Sequence, residues 1–90
     1  MSSNTEDSSA DLDVVPEHVL DACGLYCPEP VMMLHNKIRE IEHGEVLQLT
    51  ATDPSTTRDV PKFCIYLGHE LLKEVQDGDN YVYWIRKKAD

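Results

Sequence analysis

The chain is poor in basic residues, has no long apolar run and carries no secretory leader pattern. Eight Lys and Arg stand against 17 Asp and Glu in 90 residues, a formal charge of −9. Nucleic-acid faces rest on clustered Lys and Arg that displace counterions from phosphate. The one basic run, Arg86-Lys87-Lys88, lies near the C-terminus, where such a run serves solubility. Direct nucleic-acid binding is therefore not expected. The acidic surface points instead to protein partners with basic docking faces. No stretch approaches the roughly 18 consecutive apolar residues needed to cross a bilayer, so no membrane span is expected. Three cysteines, an odd number, without a signal peptide argue for free thiols in a reducing compartment, and a cytoplasmic location is the expectation. Internal repeats are absent.

What is present makes one small domain with a modest core. A chain of this size removes roughly 60–65% of its unfolded surface from water. Its chemistry is therefore expected on the surface. Residues 1–14 are Ser-, Asp- and Asn-rich with little to bury, and read as a disordered acidic tail. Acids crowd this end: Glu6, Asp7, Asp11, Asp13 and Glu17 precede the first Lys or Arg. Val15-Pro16 marks the edge of the folded unit, residues 15–90.

His18 to Ala22 reads as a short strand ended by Gly24. Val31, Leu34, Ile38 and Ile41 then recur at helical spacing, with His43-Gly44 as the expected stop. Glu45 to Thr52 alternates as a second strand, and Asp53-Pro54 turns the chain. Val60, Phe63, Cys64 and Leu67 form a second helical stripe. Pro61 inside it predicts a start near Asp59 or a kinked first turn. His69 to Val75 and Tyr81 to Lys87 flank Asp77-Gly78, a hairpin pattern. The order β-α-β-α-β-β predicts an α/β (α+β) two-layer sandwich: a mixed four-stranded sheet with two helices on one face.

The chemistry concentrates at Cys27-Pro28-Glu29-Pro30. This segment follows the first strand and opens the first helix. A helix N-terminus offers unpaired N–H groups and the positive end of the macrodipole, and so favours thiolate over thiol. Proline suits the first helical turn, where its missing N–H has no intrahelical partner. Cys27 is thus the expected nucleophile, at the C-terminal edge of the sheet where open α/β folds place their sites. Cys64 falls in an apolar stripe and reads as core. Cys23, four residues before Cys27, also reads as core, since a C-x-x-x-C spacing is not the C-x-x-C redox arrangement. A zinc site is not expected, because structural zinc needs four ligands. A local Cys–His dyad is disfavoured: His35 lies eight residues along the helix, about 12 Å away at 1.5 Å per residue. Glu29 and Met32, beside the thiol on the same helix, are candidate partner-docking residues. Arg58 is a third, although it and Asp59 are first expected to cap the second helix or pair with each other.

The pattern Leu20-Asp21-x-x-Gly24-Leu25-x-Cys27-Pro28-Glu29-Pro30, followed by Asp53-Pro54, by Thr57-Arg58-Asp59-Val60-Pro61-x-Phe63-Cys64 and by Gly68-His69-Glu70-Leu71, resembles the TusA (SirA-like) sulfur-carrier family. The similarity runs from about His18 to Lys88. It implies a two-layer sandwich and a persulfide on Cys27. It further implies that a cysteine desulfurase donates the sulfur and that a sulfur-relay acceptor protein receives it, in a relay ending in 2-thiouridine at the tRNA wobble position. Some relatives serve molybdenum-cofactor synthesis or sulfur oxidation instead. No cofactor or metal is implied in this chain, because the donor's pyridoxal phosphate does the carbon–sulfur chemistry. Cys23 stands where the family more often has an aliphatic residue. The alternative of a different class is a redox sensor or regulatory module built on the same cysteine.

Overall fold

The computed structural model describes residues 15–89. The acidic segment expected to be disordered, residues 1–14, lies outside the described residues. Among the described residues, four strands and two helices follow in the expected order: β1 His18–Ala22, α1 Glu29–Glu40, β2 Val46–Ala51, α2 Thr56–Leu67, β3 Glu70–Asp77 and β4 Asn80–Arg86. The strands form one sheet in the order β1-β2-β4-β3. β2 pairs parallel with β1 and antiparallel with β4, which in turn pairs antiparallel with β3. This is the mixed sheet with both helices on one face that the strand and helix periods predict.

The core forms between that face and the helices. Leu47, Leu49 and Ala51 alternate inward from β2, Tyr83 and Ile85 from β4, and all are nearly inaccessible. Leu34 and Ile38 of α1 and Val60, Phe63 and Cys64 of α2 close the layer above them. Buried apolar area of this kind contributes roughly 25 cal/mol per Å² removed from water. Tyr83 keeps its hydroxyl satisfied inside the core, 2.8 Å from Thr56 Oγ1.

Three boundaries differ from the sequence expectation, each for a local reason. α1 stops at Glu40, before His43-Gly44, because Ile41 turns extended (φ −89°, ψ 167°) and is itself buried. Its carbonyl accepts a hydrogen bond from Lys87 Nζ at 2.8 Å, tying the helix end to the chain beyond β4. α2 starts at Thr56, three residues before Asp59, and runs through Pro61. The turn at Asp53 fixes that start: Thr56 N and Oγ1 both donate to the Asp53 carbonyl, at 3.0 and 2.8 Å. Burial of Val60, Phe63 and Cys64 then holds the helix on the sheet despite the donor that Pro61 lacks. The hairpin turns at Gly78-Asp79, with Asp77 opposite Asn80, one residue later than Asp77-Gly78. Gly78 supplies the positive φ of 62° that such a tight turn needs.

Leu34 is fully buried in the core cluster between α1 and the rest of the fold. Leu34→Ala is expected to cost about 3 kcal/mol, read as a lower urea midpoint, because a cavity remains where the side chain was. Ile65→Ala, at a position 77% exposed, is expected to stay within about 0.5 kcal/mol of the parent.

Candidate functional site

Parallel pairing of β1 with β2 sets Ala22 opposite Ala51, so both strands end at the same sheet edge. The connections that follow them, residues 23–28 and 52–55, therefore meet. Gly24 N donates to Thr52 Oγ1 at 2.8 Å, and Cys27 N donates to Asp53 Oδ2 at 2.6 Å. Asp53 also accepts from Ser55 N at 3.0 Å and from Ser55 Oγ at 2.8 Å. Its side chain is buried, with 8% of the residue accessible. These bonds, chiefly those from Ser55 and then that from Cys27, hold its carboxyl below the usual carboxylate range.

Cys27 is exposed, as the helix-start position predicts. Pro28 occupies the N-cap and Pro30 the first turn of α1. The thiol faces α2, where Sγ donates to Asp59 Oδ2 at 3.4 Å. The other oxygen of that carboxylate accepts from Arg58 Nε at 3.1 Å, so the expected Arg58–Asp59 pair exists and leaves one oxygen for the sulfur.

The expected lowering of the Cys27 pKa is corrected by this contact. The hydrogen bond to Asp59 raises it, with desolvation and the nearby Asp59 and Asp53 charges acting in the same direction and Ser55 against them. A helix terminus offers about half an elementary charge, screened where it meets water. A carboxylate in direct contact brings a full one. Asp59 is thus the residue at the site that the sequence reading placed elsewhere. Its trace lay in the topology: two connections leaving parallel neighbours at one edge must bring the first turn of the following helix beside the preceding loop.

The other candidates sort clearly. Cys64 is buried, and burial pushes its thiol up to about 11. Cys23 is exposed, not packed in the core as expected. It lies past the end of β1, where its N donates to Asp21 Oδ1 at 3.0 Å and the Asp21 side chain raises its thiol pKa. Among the described residues, no histidine hydrogen-bonds Cys27. His18 pairs with Glu45 at 2.7 Å, His43 Nδ1 meets the Lys88 carbonyl, and the Phe63 ring packs edge-to-face with His35 and stacked with His69. Glu29 and the exposed Met32 share a shallow depression with Leu25, Met33 and Asn36. Arg58 stands apart from them, on the first turn of α2. An apolar groove of about 340 Å³ opens between the helices, running from Pro28 and Asp59 past Val31 and Phe63 to the largely exposed Tyr66. No helix among the described residues is long and apolar enough to cross a membrane.

Similarity to known proteins spans the elements described above. The family model described as Sulfurtransferase TusA matches residues 18–87. The sulfur carrier protein TusA of Pseudomonas paraeruginosa is 62% identical over 72 residues, 80% of this chain and 91% of that protein. Its counterpart in Pseudomonas entomophila is 60% identical over 78 residues, 87% and 98% of the two chains. A crystal structure of a SirA-like protein from Desulfitobacterium hafniense superposes with a TM-score of 0.70 at 20% identity, over 79% of this chain and 97% of that one, a likeness of fold.

The Asp53 bonds predict an acid-sensitive site. A carboxyl whose folded pKa is depressed contributes stability that is whole above its ordinary value of 3.8 and is lost as pH falls through the lower folded value. Melting temperature should therefore fall on acidification more steeply in the parent than in Asp53→Asn. The variant should start lower at neutral pH and approach the parent at the acid end. Parallel curves would remove Asp53 from the anchoring role.

Proposed function

The chain belongs to the TusA sulfurtransferase family of sulfur carriers, and from that premise we propose that it carries sulfane sulfur as a persulfide on Cys27. The observation that carries the reading is the placement of Cys27: an exposed thiol whose own backbone N–H is anchored to Asp53. Cys23, the other exposed thiol, has no comparable tie to the second connection. Cys64 is enclosed.

The donor in this proposal is a cysteine desulfurase holding a persulfide. Cys27, as thiolate, attacks the terminal sulfur. The new bond is Sγ–S on the carrier, and the donor cysteine leaves with the electron pair of the broken bond. A thiolate on the acceptor protein then repeats the exchange in the outward direction. Each step obeys the rules of thiol–disulfide exchange, in which access, thiolate fraction and leaving-group pKa set the rate. The final product we propose is 2-thiouridine in tRNA, reached through the acceptor without direct contact between this acidic chain and RNA. Docking is proposed to use Glu29 and Met32 beside the thiol and Arg58 on the neighbouring helix. Met32 is 57% exposed and suits an apolar contact with more than one partner.

Cys27→Ser is expected to fold normally and to take no sulfur when incubated with desulfurase and cysteine, by intact mass. Cys23→Ala and Cys64→Ala are expected to gain one sulfur atom like the parent. Sulfur on folded Cys27→Ser would overturn the assignment, and the same assay separates a carrier from a redox sensor, which need not accept sulfane sulfur. Met32→Asp is expected to weaken the desulfurase complex more than Glu29→Lys does, because it sets an unpaired charge against an apolar contact. Calorimetric titration at two salt concentrations checks this, and parent-like affinity in both folded variants would move docking elsewhere.

A further inference from the structure

We infer that Asp59 is a brake on sulfur exchange at Cys27, holding the free sulfur as thiol and holding a bound sulfane sulfur on the carrier until a partner engages the site. This deepens the carrier reading and rests on it for its consequence. The geometry is specific. Asp59 Oδ2 is 3.4 Å from Sγ, and the opposite oxygen is fixed by Arg58 at 3.1 Å. The Asp59 side chain is 20% exposed and meets the sulfur directly at the surface, so no layer of water separates the two groups. A carboxylate so placed accepts a hydrogen bond from S–H and opposes charge on sulfur.

Other charged and polar groups belong to the segments that meet around the Cys27 loop. Glu29, on the helix that Cys27 precedes, adds negative charge in its first turn. Asp53, from the β2–α2 connection, holds the backbone N–H and adds more, while Ser55 from the same connection favours the thiolate. Arg58, on α2, is engaged with Asp59. The hydrogen bond to Asp59 dominates this set in direction, and the Cys27 thiol lies above its ordinary value accordingly.

The chemical consequence follows for both directions of transfer. In release, an acceptor thiolate attacks the terminal sulfur of Cys27 Sγ–S–H. An S–S bond forms to the acceptor, the Sγ–S bond breaks, and its electron pair remains on Sγ, which then takes a proton from solvent. One S–S bond replaces another, so no oxidant or reductant is consumed. Sγ must leave as a thiolate against the Asp59 carboxylate, and thiols of higher pKa leave more slowly. In loading, the same contact reduces the thiolate fraction. A tenfold change in that fraction is offset by intrinsic nucleophilicity to roughly half on a logarithmic scale, leaving about a threefold change in rate. A partner that presents a cation to Asp59 releases the brake, in accord with the basic docking faces that an acidic carrier selects.

The test is the pH dependence of iodoacetamide alkylation of the full chain in a Cys23→Ala background, which leaves Cys27 as the exposed thiol among the described residues. Asp59→Asn is expected to move the alkylation midpoint to lower pH. Alkylation at neutral pH should then quicken by about threefold for every tenfold gain in thiolate fraction. Asp59→Ala, with circular dichroism on both variants, serves if the first does not fold. The same variants, loaded by desulfurase, should lose their sulfur to dithiothreitol faster than the parent. An unchanged or higher midpoint in a folded variant overturns the inference. A parent chain that takes no sulfur from the desulfurase overturns the carrier reading instead, while the alkylation profile, which needs no donor, still decides the Asp59 coupling.

Discussion

The Asp53 carboxylate is the joint on which the site depends. It ties the backbone of the Cys27 loop to the turn that starts α2, through bonds to Cys27 N, Ser55 N and Ser55 Oγ. Hydrogen bonds to an ionised acceptor are shorter and roughly twice as strong as neutral ones, and burial of the residue strengthens them further. Without this joint, the exposed loop between a five-residue strand and a helix would be tied to the second connection only through Gly24 N and Thr52 Oγ1, three residues before the thiol. With it, the position of the thiol is referred to β2, one of the two interior strands and the most enclosed strand of the sheet.

A second consequence concerns charge. The proline-flanked helix start presents Cys27 to solvent but does not decide its protonation. Asp59, delivered by the other helix, sets the direction in which its pKa moves, because a full charge in contact outweighs a screened fractional one. A carrier has reasons to hold its thiol in check that a catalytic cysteine acting alone does not. It must keep its cargo in transit and surrender it only on contact, so a moderated sulfur suits the task better than an activated one. The small core is consistent with such a division of labour. Among the described residues, thirteen buried hydrophobic residues support the platform, while the sulfur, the apolar groove between the helices and Met32 stay at the surface.

The sequence by itself determined a good deal. Period-two and period-3.6 patterns over short segments determined the six elements and their order, because burial of one face is a local property of spacing. The glycine and proline punctuation determined the approximate boundaries, missing where tertiary contacts override local preference: at Ile41, buried and held by Lys87, and at Pro61, carried inside α2 by the packing of Val60 and Phe63. The exposure of Cys27 and the burial of Cys64 were also legible, each from its place in a pattern. Only the tertiary structure decided what Cys27 meets. Asp53 and Asp59 lie 26 and 32 residues away along the chain, and they reach the sulfur loop because two parallel strands end together. Cys23 likewise was settled by where β1 ends and not by its apolar neighbours. A thiol's ionisation depends on the charges within a few ångströms of it, and distances of that kind between remote segments are set by strand pairing, which no local spacing encodes.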